Sequence, residues 1–302
     1  MPLQVAIGRS ISIQKSASAV HLMSLPNSST RAITMFDIFQ YAFIQQAFII
    51  GLALALTSAL LSPFLVLNQQ AMIGDGLAHI SFTGIVLGII LGLEPLYIAI
   101  PFVVIASVLI KHLASQKNLN GDAAIGLVSA TSFAIGLIIV KKGQGFNISI
   151  ESMLVGNIFT ATTAELISSL VILVITTGFI IYNYRSLLLI TYDKDYATFS
   201  KVKVRLLNYA LAALTSLFIV IGVRTIGVLL ISALTIFPAV FSSVWSRSFK
   251  QTVVYGIIAS AIIVVLGIYI AHPLGLPVGA TIVVLYAVSV LISALIKFIL
   301  RR

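Results

Sequence analysis

Cysteine is absent from the 302 residues, which excludes disulfides and thiolate metal ligands alike. Any metal site must use His, Asp, Glu or carbonyl oxygen. Charge is nearly as scarce: Asp and Glu number 8, Lys and Arg 18, and charged residues make up 9% of the chain. Water-soluble domains carry about 25% charged residues, so a chain that is 60% hydrophobic belongs in a bilayer. No Gly-x-x-x-x-Gly-Lys-Ser/Thr loop is present, so nucleotide phosphates cannot be cradled in the P-loop manner. The formal charge of +10 points to nucleic acid only until the basic residues are placed. They cluster between apolar runs, where the positive-inside rule accounts for them, and a nucleic-acid partner is excluded.

Residues 1–34 differ from the rest of the chain, with seven serines, three basic residues and no continuous apolar run. Their composition has some likeness to an organelle transit peptide, while the plainer reading is a poorly ordered extension or an over-extended start with Met35 as initiator. A cleavable secretory signal is excluded, because no apolar core precedes a small-residue cleavage site. Residues 35–302 then form a single membrane domain. Apolar runs of about 20 residues predict nine spans, near 40–67, 71–93, 95–113, 122–140, 162–183, 205–223, 225–245, 252–271 and 278–299. A re-entrant segment would reduce them to eight. Residues 146–159 are too short to cross and predict a short interfacial helix. The fold class is therefore all-α, a polytopic helical bundle.

Twelve of the Lys and Arg residues fall in one set of loops and six in the other. The richer set includes Lys111, Lys117, the run from Arg185 to Arg205, Arg247, Lys250 and the C-terminus, which places these on the cytoplasmic side. No internal repeat is visible, which weakens the case for a repeat-built secondary transporter. Gly84, Gly88 and Gly92 put small residues on one stripe of the second span, a pattern for close helix packing.

Asp75 and His79 interrupt the second span. Four residues apart on a helix, they share nearly one face, about 6 Å apart along the axis. An ionisable group at membrane depth costs roughly 2.5–3.5 kcal/mol on insertion scales, so the pair needs a reason. It can coordinate a metal ion, relay protons or form an internal contact. Imidazole plus carboxylate suits Mn²⁺, Fe²⁺ or Zn²⁺ and discriminates poorly among them. Asp122 and Glu165 fall at predicted helix starts, where capping explains a carboxylate. Glu94 and His272 lie at predicted outer loops, His112 at the cytoplasmic edge, and Asn157 near a possible vestibule. Pro238 should kink the seventh span, as a hinge for gating or as a fixed packing feature.

Residues 184–205 form the longest polar interruption. Asp193 should begin a short helix with Tyr196 and Phe199 on one face and Lys194 and Lys201 elsewhere. Such a helix either docks into a soluble partner's groove or rests on anionic lipid headgroups.

Several stretches together resemble the manganese/zinc/iron class of ABC transporter permeases. Met72-Ile-Gly-Asp-Gly-Leu-Ala-His79 is similar to that family's Gly-Asp-Ala-x-Ser-His signature, with Ala78 in place of the usual Ser. Gly121-Asp-Ala-Ala-Ile-Gly126, Leu154-Val-Gly-Asn-Ile158, Gly227-Val-Leu-Leu-Ile-Ser-Ala-Leu-Thr-Ile-Phe-Pro238 and Leu276-Pro-Val-Gly-Ala-Thr-Ile282 resemble further blocks. Tyr192-Asp-Lys-Asp-Tyr-Ala197 sits where the family has its Phe-Asp-x-Glu-Phe-Ala coupling segment. The resemblance runs from about residue 36 to 300, in order. It implies a permease with no permanently bound cofactor, in two copies per complex, above a cytoplasmic ABC ATPase dimer and beneath a metal-loaded binding protein. The setting it implies is the bacterial cytoplasmic (inner) membrane, with the lipid bilayer around the chain. It further implies inward carriage of manganese, zinc or iron, contact of the ion with Asp75 and His79, and coupling to the ATPase through Asp193, Lys194, Asp195, Tyr196 and Phe199. ATP hydrolysis would fall to a separate chain. Ala78 removes one possible hydroxyl donor from that scheme. The rival reading is an autonomous cation/proton antiporter in which Asp75 and His79 relay protons.

Overall fold

The computed structural model describes residues 42–115, 120–142 and 156–300. The chain divides into two compact units, 1–44 and 45–302; only Ala42–Ile44 of the first are described. Expectations for residues 1–34 and for 146–155 of the short interfacial helix expected over 146–159 lie outside the described residues, as does Lys117; the described end of that segment holds only a 3₁₀ turn.

Eleven α-helices are present among the described residues: α1 (Ala42–Leu67), α2 (Ile73–Ile90), α3 (Pro95–Ala114), α4 (Gly121–Lys142), α5 (Thr163–Tyr192), α6 (Lys194–Phe199), α7 (Val204–Ile226), α8 (Val228–Leu234), α9 (Phe237–Trp245), α10 (Phe249–Leu274) and α11 (Val278–Leu300). A 3₁₀ turn, Ile158–Thr160, precedes α5. Taking α8 and α9 as one interrupted span, nine segments are long and apolar enough to cross a membrane. They match the nine apolar runs of the sequence, and the protein is an all-α, multi-pass bundle.

Local chemistry sets most boundaries. After α1, Gln70 N–H bonds back to the Leu65 carbonyl at 2.8 Å and the Asn68 side chain donates to the Phe64 carbonyl at 2.7 Å. These bonds satisfy carbonyls that the helix end would leave open to lipid. Pro95 opens α3 in the first turn, where a missing N–H costs nothing. Gly275 closes α10 in the left-handed conformation, with φ 61°.

α2 packs against α3, α4, α7 and α8, and its residues from Ile80 to Val86 are all buried. The glycine stripe explains part of this closeness. A Cβ on Gly84 would lie 2.8 Å from Ala99 Cα, and one on Gly88 2.7 Å from Pro95 Cα. Only a hydrogen fits there, so the α2–α3 backbones can touch. Gly92 departs from the stripe and instead takes positive φ in the connecting turn. Across the bundle, buried Tyr286 on α11 donates to Ser260 Oγ on α10 at 2.7 Å and stacks on Phe237 with ring centroids 5.5 Å apart.

Two expectations are corrected. The fifth span does not stop near residue 183; α5 continues for 30 residues to Tyr192. That is about 45 Å of helix, longer than a bilayer core of about 30 Å, so the polar residues after Asn183 extend the helix beyond the lipid. The seventh span is not one kinked helix. It breaks at Thr235-Ile236, and Pro238 lies in the first turn of the second piece, α9. A proline in that position needs no N–H partner. Hydroxyls of α1 mend the break: Ser58 Oγ donates to the Leu234 carbonyl, and Ser62 Oγ accepts from Ala239 N–H at 3.2 Å while donating to the Ile236 carbonyl at 3.4 Å. Irregular backbone at membrane depth survives only with such partners.

Candidate functional site

α2 begins after a tight turn in which Ile73 N–H reaches the Gln70 carbonyl at 3.1 Å. Asp75 therefore falls in the first helical turn, where partial positive charge from the free N–H groups favours a carboxylate. His79 lies one turn further on. Its Nε2 is 3.7 Å from Asp75 Oδ2, near enough for attraction but longer than a hydrogen bond. The helix spacing expected from sequence thus brings the two side chains together on one face.

That face is open. The Asp75 side chain is 47% exposed and that of His79 33%, while Ile73, Gly74, Gly76, Leu77 and Ala78 around them are buried. The His79 ring meets the edge of Phe133 at a centroid distance of 4.9 Å, which holds the imidazole in place. Its Nδ1 is buried and has no hydrogen-bond partner among the described residues. On the open face, the Nε2 side of the imidazole and the carboxylate meet without a hydrogen bond between them. Among the described residues no group of three or more His, Cys, Asp or Glu side chains comes together. A carboxylate and an imidazole alone could contact an ion but could not close around it. The methyl of Ala78 is fully buried, so this position contributes packing between helices rather than lining the open face.

The break in the seventh span lies against the same helix. A Cβ on Gly74 would come within 2.2 Å of Thr235 Oγ1, so the absence of a side chain one residue before Asp75 admits the interrupted backbone. Discontinuous helices beside ionisable groups are a recurrent way to build an ion path, because the break exposes backbone dipoles to the cargo. Pro238, three residues beyond Thr235, is thereby near the break without being its centre.

The segment after α5 is built as its sequence predicts. Asp193 Oδ1 accepts the Tyr196 N–H at 2.8 Å and caps α6. Ala197 is buried and anchors the helix, whereas Tyr196 and Phe199 are 55% and 85% exposed and Lys194 and Asp195 also face outward. Two exposed aromatic side chains on a capped helix are the usual anchors of a protein interface.

The remaining polar groups have structural employment. Glu165 completes a capping box: Thr162 N–H donates to Glu165 Oε2 at 2.7 Å, and Glu165 N–H to Thr162 Oγ1 at 3.3 Å. Its other oxygen, Oε1, meets Arg224 Nε at 3.3 Å. The Thr-x-x-Glu spacing marks the box in the sequence, whereas nothing local marks the arginine. Asn157 spends its Oδ1 on Phe159 N–H at 3.1 Å, and His272 stacks edge-on with Phe159 at 5.4 Å. Asp122, Glu94 and His112 are exposed at helix ends.

The manganese import system permease protein ScaB of Streptococcus parasanguinis is 28% identical over 254 residues, covering 84% of this chain and 90% of that one. A protein of Haemophilus influenzae described as a "Probable iron transport system membrane protein" is 30% identical over 255 residues, covering 84% and 93%. The solved structure of PsaBC from Streptococcus pneumoniae in complex with Fab superposes with a TM-score of 0.77 at 25% identity, covering 87% of this chain and 94% of that one. Residues 40–297 match the model of the ABC 3 transport family, and the chain belongs to that family.

Proposed function

We propose that this chain is the membrane-spanning subunit of an ATP-driven importer of a divalent transition metal ion, Mn²⁺, Zn²⁺ or Fe²⁺. The observation that carries the reading is the open Asp75–His79 pair on α2 beside the broken seventh span. Family membership and the printed names of the manganese and iron relatives support it. The ion would pass as cargo, held briefly by the carboxylate and the imidazole, with water or backbone carbonyl completing its shell. A second copy of the chain is the natural source of the wall that the open face lacks, so the working unit is a homodimer in the bacterial inner membrane.

Energy would come from a separate ATPase chain, since no P-loop is present in this sequence. The exposed Tyr196 and Phe199 of α6 would seat in that ATPase, with Asp193, Lys194 and Asp195 capping and flanking the contact. Because α6 follows α5 after a single capping residue, movement of the ATPase would be carried into the bundle. Pro238 and the break before it would give the seventh span its freedom to shift. On the opposite side, where Glu94 and His272 lie, an extracytoplasmic metal-binding protein would deliver the ion.

The test is flux into liposomes holding the full transporter. Asp75→Ala should reduce ATP-dependent uptake of radioactive manganese to background, with membrane insertion and ATPase association unchanged. Uptake at the wild-type rate would remove the pair from the mechanism. The purified chain alone should show no metal flux under a pH gradient; such flux would instead establish the proton-coupled antiporter.

A further inference from the structure

A cavity of about 830 Å³ opens where α3, α6 and α7 meet, on the side assigned as cytoplasmic. Four cationic residues line it: Lys111 in the last turn of α3, Lys194 at the start of α6, Lys203 before α7 and Arg205 in the first turn of α7. No carboxylate lines it, and none of the four makes an ion pair among the described residues. Lys194 is flanked in sequence by Asp193, which caps α6, and by exposed Asp195; neither lines the cavity. Lys111 is half-buried, and its ammonium donates to the side-chain carbonyl of Gln70, a neutral partner. A half-buried ammonium with only an amide to face lacks its counter-charge. Arg205 and Lys203 add further cost, since basic residues at a helix N-terminus oppose the helix dipole. Three separate chain segments thus bring like charges together with no carboxylate in the cavity wall to balance them.

The position of the cavity says what would balance them. Lys111 ends one membrane span and Arg205 begins another, so the cavity lies at the boundary between lipid and water. Its wall is mixed: Tyr209 and Asn208 are polar, Val204 is buried and apolar, and Leu206 presents an exposed apolar side chain. Basic pockets between spans at this depth fit lipid phosphate, with acyl chains leaving along the apolar side. We infer that this cavity binds the phosphate of an anionic phospholipid headgroup, tying α3, α6 and α7 together at the point where α6 joins the bundle.

The full-length protein in neutral detergent is titrated with phosphatidylglycerol, phosphatidylcholine or inorganic phosphate, and bound lipid is counted by native mass spectrometry. Wild type should retain phosphatidylglycerol in preference to phosphatidylcholine. Lys203→Gln with Arg205→Gln should weaken phosphatidylglycerol retention roughly thirtyfold, the effect of two lost interfacial cations. Lys203→Arg, which keeps the charge, and Lys250→Gln, outside the cavity, should bind as wild type does. Equal retention of the two lipids, or unchanged retention by the double variant, would overturn the proposal. Full displacement of lipid by inorganic phosphate at equal concentration would overturn the lipid assignment in favour of a soluble anion. Loss of ATPase co-purification with lipid retention intact would assign the cations to that partner instead. Lipid retention is read without metal or ATP, so this result stands apart from the outcome of the transport experiment.

Discussion

Two ionic pairs in this bundle have opposite designs. Glu165–Arg224 joins α5 to α7: its carboxylate is buried, accepts a backbone N–H within a capping box and meets the guanidinium at 3.3 Å. Asp75–His79 lies on a single helix, is partly exposed, spans 3.7 Å and leaves a ring nitrogen without a partner. The first pair has no capacity for a passing ion, because both carboxylate oxygens are engaged. The second has capacity on both residues. Burial alone therefore does not separate the two; what differs is that both oxygens of Glu165 are engaged, whereas the Asp75 carboxylate lies on an open face.

Isosteric substitutions break the comparison cleanly. Asp75→Asn keeps the shape and removes the charge, and should lower metal uptake by about a hundredfold or more while thermal unfolding in detergent stays at the wild-type temperature, as befits a group with no required internal partner. Glu165→Gln should do the reverse. It leaves Arg224 unpaired and should destabilise the bundle by roughly 2 kcal/mol, below the full cost of breaking a buried pair because Arg224 is 39% exposed. Uptake per folded molecule should be retained. Gly88→Ala sharpens a second point, that α2 is held rigidly under its open face. A methyl only 2.7 Å from the Pro95 backbone should cost about 1–3 kcal/mol and be visible as a lower unfolding temperature. Thr162→Ala, which removes one half of the capping box, should cost about 1 kcal/mol by the same measurement, with no change in transport.

Much of this was legible residue by residue. Each of the nine spans announces itself as an apolar run, because lipid offers no partner to a backbone that is not helical. Asp193 announces α6, since its side chain can cap only a helix that starts immediately after it. The closeness of α2 and α3 is written in Gly84 and Gly88. The length of α5 was not legible: the polar residues after Asn183 read as a loop, yet a helix leaving the membrane tolerates them as well as a loop does. The break at Thr235-Ile236 was legible in part: Pro238 offers the Leu234 carbonyl no N–H, which predicts an interruption but not that the helix parts altogether. The parted form holds because Ser58 and Ser62, far away in the chain, supply the hydrogen bonds that the interrupted helix loses.

The amino-acid sequence by itself determined which segments cross the membrane, where α6 starts and that an aspartate and a histidine share one helical face, since each comes from hydropathy, capping or the 3.6-residue turn. Only the tertiary structure decided that this face is left open, that the seventh span is broken beside Gly74, and that Glu165 is taken by Arg224 while Asp75 is not. Those outcomes depend on which groups meet across helices distant in sequence, and no local periodicity encodes such meetings.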